Sequence, residues 1–222
     1  MEIEETENEN REHAVLERIL TLKQLLKDQR GGPLELHELG ICYFVLNNFK
    51  QTAEYLEELL EKYPDYLEIA AANTLRIFSL IKEGMFADAE KLIEQRLKTQ
   101  KQDTTLLGLQ AHIFEKSGNH KKAIQVHRRI LELDPDNINS KNSLGYLLTL
   151  HGSDSDRDEA LRLLTGALRQ KPDYPAYLDS LGVLLDKKGK KDQARKALMK
   201  ALKRAPGNTV ILDHLKDLLG IK

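Results

Sequence analysis

The 34 residues PAYLDSLGVLLDKKGKKDQARKALMKALKRAPGN, from Pro175 to Asn208, decide how the rest of the chain is read. Their second half sets Ala194, Leu198 and Ala201 twelve, eight and five residues before Pro206. Spacings of four and three put these side chains on one face of a helix, and the small alanines let a second helix approach closely. The first half carries Leu181-Gly182 inside a helical stretch, and Gly189 stands where that helix must end and turn. The segment therefore reads as two helices folded back on each other.

The same design recurs upstream. Pro64, Pro135 and Pro172 close the stretches LEELLEKYPDY, HRRILELDPDN and LTGALRQKPDY, and Pro64 to Pro135 and Pro135 to Pro206 are each 71 residues, two units plus three. Thr52, Ala123 and Ala160 take the place of Ala194; Leu56, His127 and Leu164 that of Leu198; Leu59, Ile130 and Ala167 that of Ala201. Leu39-Gly40, Gln110-Ala111 and Leu144-Gly145 match Leu181-Gly182, and Gly84, Gly118 and Gly152 match Gly189. Glycine inside a helix costs about 1 kcal/mol against alanine, so its recurrence there points to a packing requirement.

This 34-residue pattern of small and large positions resembles the tetratricopeptide repeat family over about four fifths of the chain. Units fall at 33–66, 70–103, 104–137, 138–174 and 175–208. The pattern departs from the family in three ways. Leu36, Leu107, Lys141 and Leu178 replace the large aromatic usual early in the first helix; the second unit keeps Gly84, Ala89 and Ile93 but has no proline, with three extra residues before it; the fourth has three extra residues in its turn. The ends read as caps, which a stacked array needs to cover its terminal faces. Residues 12–32 form an N-terminal capping helix with Val15, Leu16, Ile19, Leu20, Leu22, Leu25 and Leu26 mostly on one face, stopped by Gly31-Gly32-Pro33. Residues 209–222 form a C-terminal one with Val210, Ile211, Leu215, Leu218 and Leu219. Residues 1–11, acidic and with nothing to bury, are expected to be disordered.

The resemblance implies an all-α, right-handed α-solenoid of about five helical hairpins whose first helices line a concave groove. It implies that His37, Ile41, Phe44 and Val45 of the first unit face that groove, with Leu109 and His112 of the third, Asn139, Asn142 and Tyr146 of the fourth, and Asp179 and Val183 of the fifth. The groove would begin apolar and turn polar. Ile41, Phe44 and Val45 would anchor an apolar side chain or an amphipathic helix, unless the capping helix over residues 13–28 covers them. The family's clamp for a C-terminal carboxylate needs paired cations and asparagines; only Asn142 matches, so that mode is expected to be absent. The chain is therefore expected to be a scaffold or adaptor that binds a peptide or helix of a partner protein, not an enzyme. A self-assembling structural subunit is the alternative.

Composition agrees. Apolar residues make up 41% and charged residues 31%, tryptophan is absent, and the net charge of −1 argues against nucleic acid as a ligand. Residues 1–66 carry 7 basic and 15 acidic side chains, leaving 27 and 20 of the totals of 34 and 35 for residues 67–222. This split would let oppositely charged ends of two copies meet as a homo-oligomer. No stretch approaches the ~18 apolar residues of a membrane span. The lone Cys42, and an acidic start without a secretion signal, suggest the cytoplasm, or the periplasm or envelope if a signal was removed.

Other clusters read as structure. His151 to Glu159 alternates Asp as a calcium loop would, but Glu159 replaces the needed glycine and Thr165 the bidentate acid, so an Asp capping the next helix is expected. The basic run Lys187 to Lys191 reads as a solvated turn, joined by Lys196, Lys200, Lys203 and Arg204 in a basic patch. The histidines, His120 and His127 among them, lie far apart with no zinc pattern and read as surface residues; Cys42 reads as a buried thiol. No cofactor or metal is expected.

Overall fold

The computed structural model describes residues 2–221, with side chains from Asn10 onward. Among the described residues there are twelve α-helices and no strands: α1 (Glu2–Lys27), α2 (Pro33–Val45), α3 (Phe49–Lys62), α4 (Ile69–Lys82), α5 (Phe86–Leu97), α6 (Thr104–Lys116), α7 (His120–Leu133), α8 (Ile138–His151), α9 (Asp156–Gln170), α10 (Pro175–Lys187), α11 (Lys191–Arg204) and α12 (Thr209–Leu219). They form five hairpins and two end helices, in two compact units over residues 1–101 and 102–222.

In the first unit, α1 begins at Glu2, so the stretch 2–11 expected to be disordered is helical; Met1 lies outside the described residues. Ile19 and Leu22 of α1 pack on Leu39 and Cys42 of α2, and Arg18 donates from Nε and Nη2 to both oxygens of Glu38 at 2.6 and 2.7 Å. Pro33 starts α2, where its missing N–H costs nothing. Asn47, at φ +56°, makes the turn that glycine makes elsewhere, and Asn48 caps α3 by accepting from the Gln51 N–H. The small residue Thr52 donates its hydroxyl to Gly40 O across the hairpin at 3.2 Å.

The glycine at mid-helix is explained by close approach. A Cβ on Gly40 would lie 2.7 Å from Leu56 Cδ2. The α4–α5 hairpin breaks this rule. Ile77 holds the glycine register and Ile93 faces it from the second helix, both fully buried. Two branched side chains at the crossing keep α4 and α5 in looser contact than the other hairpin partners. An outer cleft of about 500 Å³ lies between α3 and α5, with Arg76 and Leu80 of α4 at its base.

In the second unit the side chains of Asp103, Asn119, Asn137 and Asn208 cap α6, α7, α8 and α12. Pro175 starts α10, and Gly118 and Gly189 turn their hairpins at φ +72°. Leu144, Leu148, Ala160, Leu164 and Leu184 form one core cluster, and Leu178, Ala201 and Ile211 seat α12 on the last hairpin. The inserted turn of the fourth hairpin departs from the expected cap. Asp156 does not cap α9 but receives the N–H and hydroxyl of Ser153, both at 2.7 Å, which hold its carboxyl below the usual range.

Candidate partner-binding surfaces

In the first unit, α1 covers Leu39, Cys42 and Tyr43 of α2 and Leu46 just after it, and leaves another face of α2 bare. Leu34, Ile41 and Val45, spaced by seven and four, are 62%, 44% and 45% exposed. Phe44 is half-buried beside them, edge-on to Phe49 and Phe78 at ring distances of 5.5 and 5.7 Å. The Lys82 ammonium lies 5.3 Å from the Phe78 ring centre. His37 is not part of this open face. Its ring is buried, with Nδ1 3.1 Å from Tyr66 Oη and 3.3 Å from Glu68, and it ties α2 to the segment before α4.

In the second unit, Leu109, His112 and Asn139 come together in a cleft of about 420 Å³ with Thr105, Ser143 and Glu115. His127 forms its wall rather than lying on the surface: Nε2 is 2.8 Å from Glu115 Oε1, Nδ1 is 3.3 Å from Ser140 Oγ, and the ring is buried. Asn139 accepts from Tyr177 Oη at 2.8 Å. Asn142 keeps a buried Oδ1 with no hydrogen-bond partner. Asp179 is buried and its carboxylate faces His214 Nδ1 of α12 at 2.9 and 3.1 Å, with Tyr146 tilted against the same imidazole. That bond raises the His214 pKa, burial opposing it, while burial pushes the Tyr146 hydroxyl up, with a smaller push from Asp179. Val183 is buried and offers nothing to a ligand. His120, half-buried, stacks on the exposed His151 at 3.6 Å; burial, then His120, lowers the His151 pKa. Among the described residues no group of three or more His, Cys, Asp or Glu is placed to hold a metal. No helix of the described chain is long and apolar enough to cross a membrane.

Sequence reading missed Phe78, Ser140 and His214. Phe78 stands in the ninth place of its unit, as Ile41 does in the first, so carrying the register through the irregular second unit finds it. His214 belongs to the cap, which lies outside the repeat register.

Stacked antiparallel hairpins with exposed first-helix faces define an all-α helical-repeat protein of the interaction-scaffold class. Family models described as tetratricopeptide repeat match residues 36–66, 106–137 and 153–215, and the chain belongs to that family. It is 29% identical over 160 residues to TPR repeat-containing protein PA4667 of Pseudomonas aeruginosa. That match covers 72% of this chain and 26% of the relative, so the chain spans about a quarter of that protein's length. Among solved structures, a tetratricopeptide repeat protein from Parabacteroides merdae superposes with a TM-score of 0.69 at 16% identity, over 84% of this chain and 72% of that one. YrrB, described as a tetratricopeptide repeat protein with an unusual peptide-binding site, gives 0.60 at 18% identity over 88% and 97%. These two likenesses concern the fold.

Proposed function

We propose that this chain is an adaptor that binds a peptide or helix of a partner protein on its first-helix faces, without turnover of its own. The observation that carries the reading is the bare apolar row Leu34, Ile41 and Val45, which α1 leaves open beside the Phe44–Phe78 cluster. Side chains spaced by seven and four suit an amphipathic helix or an apolar anchor residue. The second unit supplies polar recognition. Asn142 Oδ1 is a buried acceptor that lacks a donor, and a ligand amide would satisfy it. The likeness to YrrB, whose description names a peptide-binding site, supports the same reading.

The test is a selection from a displayed peptide library against the wild type and Ile41→Asp/Val45→Asp side by side. These two residues are exposed, whereas Phe44 is built into the aromatic cluster and its loss would also disturb the fold. Peptides with an apolar anchor are expected to bind the wild type and to lose about tenfold or more in affinity on the variant, with unchanged circular dichroism. Equal binding to both would move the site elsewhere. A structural, self-assembling role is favoured by a separate set of surfaces.

A further inference from the structure

Charge in the second unit is sorted by helix. The second helices of its hairpins, α7, α9 and α11, hold 13 Lys and Arg against 5 Asp and Glu, while the first helices, α6, α8 and α10, hold 3 against 3. In the first unit the second helices, α3 and α5, hold 4 basic and 7 acidic side chains. Part of the basic set is neutralised locally: Lys200 and Arg204 pair with Asp173, and Arg128 with Glu159. Lys196 and Lys203 of α11 are exposed and enter no ion pair among the described residues. They occupy the same repeat register as Glu54 and Glu61 of α3, which are also exposed. Residues seven apart on a helix lie ~10.5 Å apart, so the two rows match in spacing and oppose in sign.

Between Lys196 and Lys203, α11 presents Met199 at 56% exposure. Glu54 in turn borders the outer cleft of about 500 Å³ between α3 and α5. Ala53, Leu80 and Leu92 give that cleft apolar lining, and its four carboxylates stand among three cations, Lys50, Arg76 and Lys91, of which Arg76 pairs with Glu57. A flexible thioether beside cations thus has its counterpart in a partly apolar cleft whose carboxylates outnumber its cations by four to three.

We propose that α11 of one copy seats on the α3–α5 cleft of a second copy, with Met199 entering the cleft and Lys196 and Lys203 facing Glu54 and Glu61. The contact is heterologous: each copy in a pair retains one unused cleft or one unused α11. Association then continues from copy to copy unless the rotation closes a ring. The surfaces are second-helix faces, so the assembly stands apart from the first-helix binding proposed above, and Ile41→Asp leaves it unchanged.

Sedimentation velocity over a concentration series tests this between about 0.01 M and 1 M salt, where the screening length falls from ~30 Å to ~3 Å. The wild type is expected to associate at low salt and to dissociate at high salt. Lys196→Glu/Lys203→Glu and Glu54→Lys/Glu61→Lys should each weaken association by at least about tenfold, with circular dichroism confirming intact helices. Mixing the two variants should restore a complex, because one keeps the cleft and the other keeps α11. Met199→Ala should weaken association without changing its salt dependence. A wild type monomeric at every concentration in low salt overturns the proposal, as do charge-reversed variants that associate like the wild type or a mixture that stays monomeric. A monomer that instead binds an acidic peptide or duplex DNA through Lys196 and Lys203 overturns it too and assigns the face to another partner.

Discussion

Gly182 and His214 show how single positions set the packing of this array. A Cβ at Gly182 would lie 2.6 Å from Leu198 Cγ, well inside van der Waals contact, and Leu198 is itself buried. Helix propensity favours any ordinary residue over glycine by up to ~1 kcal/mol, so the close crossing must outweigh that preference. Gly182→Leu is therefore expected to destabilise by about 1–3 kcal/mol through overpacking. Thermal unfolding at the wild-type temperature would show that the helices tolerate the added side chain. His214 has a different role, because its pKa is raised mainly by the bond to Asp179, with Asp217 and Asp213 of its own helix adding to it and burial opposing it. A histidine whose pKa rises on folding contributes stability that is complete below its unfolded value of ~6.5 and is lost as pH rises through the folded value. Asp179→Asn should then lower the melting temperature more at about pH 6 than at about pH 9. A difference that stays constant with pH would mean that the pair does not hold α12.

At the scale of elements, each regular hairpin is a pair of helices whose crossing is fixed by one small and one large residue. Gly145 against Leu164 repeats the geometry of Gly182 against Leu198, with a Cβ distance of 2.7 Å. Leu164 also lies in the cluster that includes Leu184 of the next hairpin. Leu164→Ala should cost about 2–5 kcal/mol. In a repeat array each hairpin touches only its neighbours, so the loss should be local. Hydrogen exchange is expected to speed up in α8 to α11 and to stay unchanged in α2 and α3. Uniform acceleration along the chain would show that it opens as one cooperative body. The α4–α5 hairpin carries the opposite substitution, Ile77 for glycine, and its two helices are in looser contact than those of the other hairpins.

Across the whole molecule the nearly neutral total conceals an ordered charge distribution. Within the net charge of −1 sit an acidic set on α3 and α5 and a basic one on α7 and α11. The first helices, by contrast, present apolar residues in one unit and hydroxyls, amides and imidazoles in the other. The two proposed contacts, partner recognition and self-association, thus fall on different helix classes. Salt should govern assembly and leave an apolar anchor contact largely intact.

Proline and glycine spacing determined the hairpins, because those residues fix where a helix starts, turns and allows close approach whatever surrounds them. The recurring small and large positions also determined the core: Ala123, Ala160 and Ala194 and Leu56, Leu164 and Leu198 are all buried. The family resemblance implied a groove position for Ile41 and Val45, and both side chains are exposed in the fold. Tertiary structure alone decided which groove positions remain available. His37, Asp179 and Val183 hold places expected to face the groove, yet neighbouring elements bury them, through Tyr66 in the first case and His214 in the second. It alone joined His127 to Glu115 and Ser140, twelve and thirteen residues away in sequence and on three different helices. Periodicity specifies which side of its own helix a residue occupies, and nothing in it specifies which side chain arrives from the next.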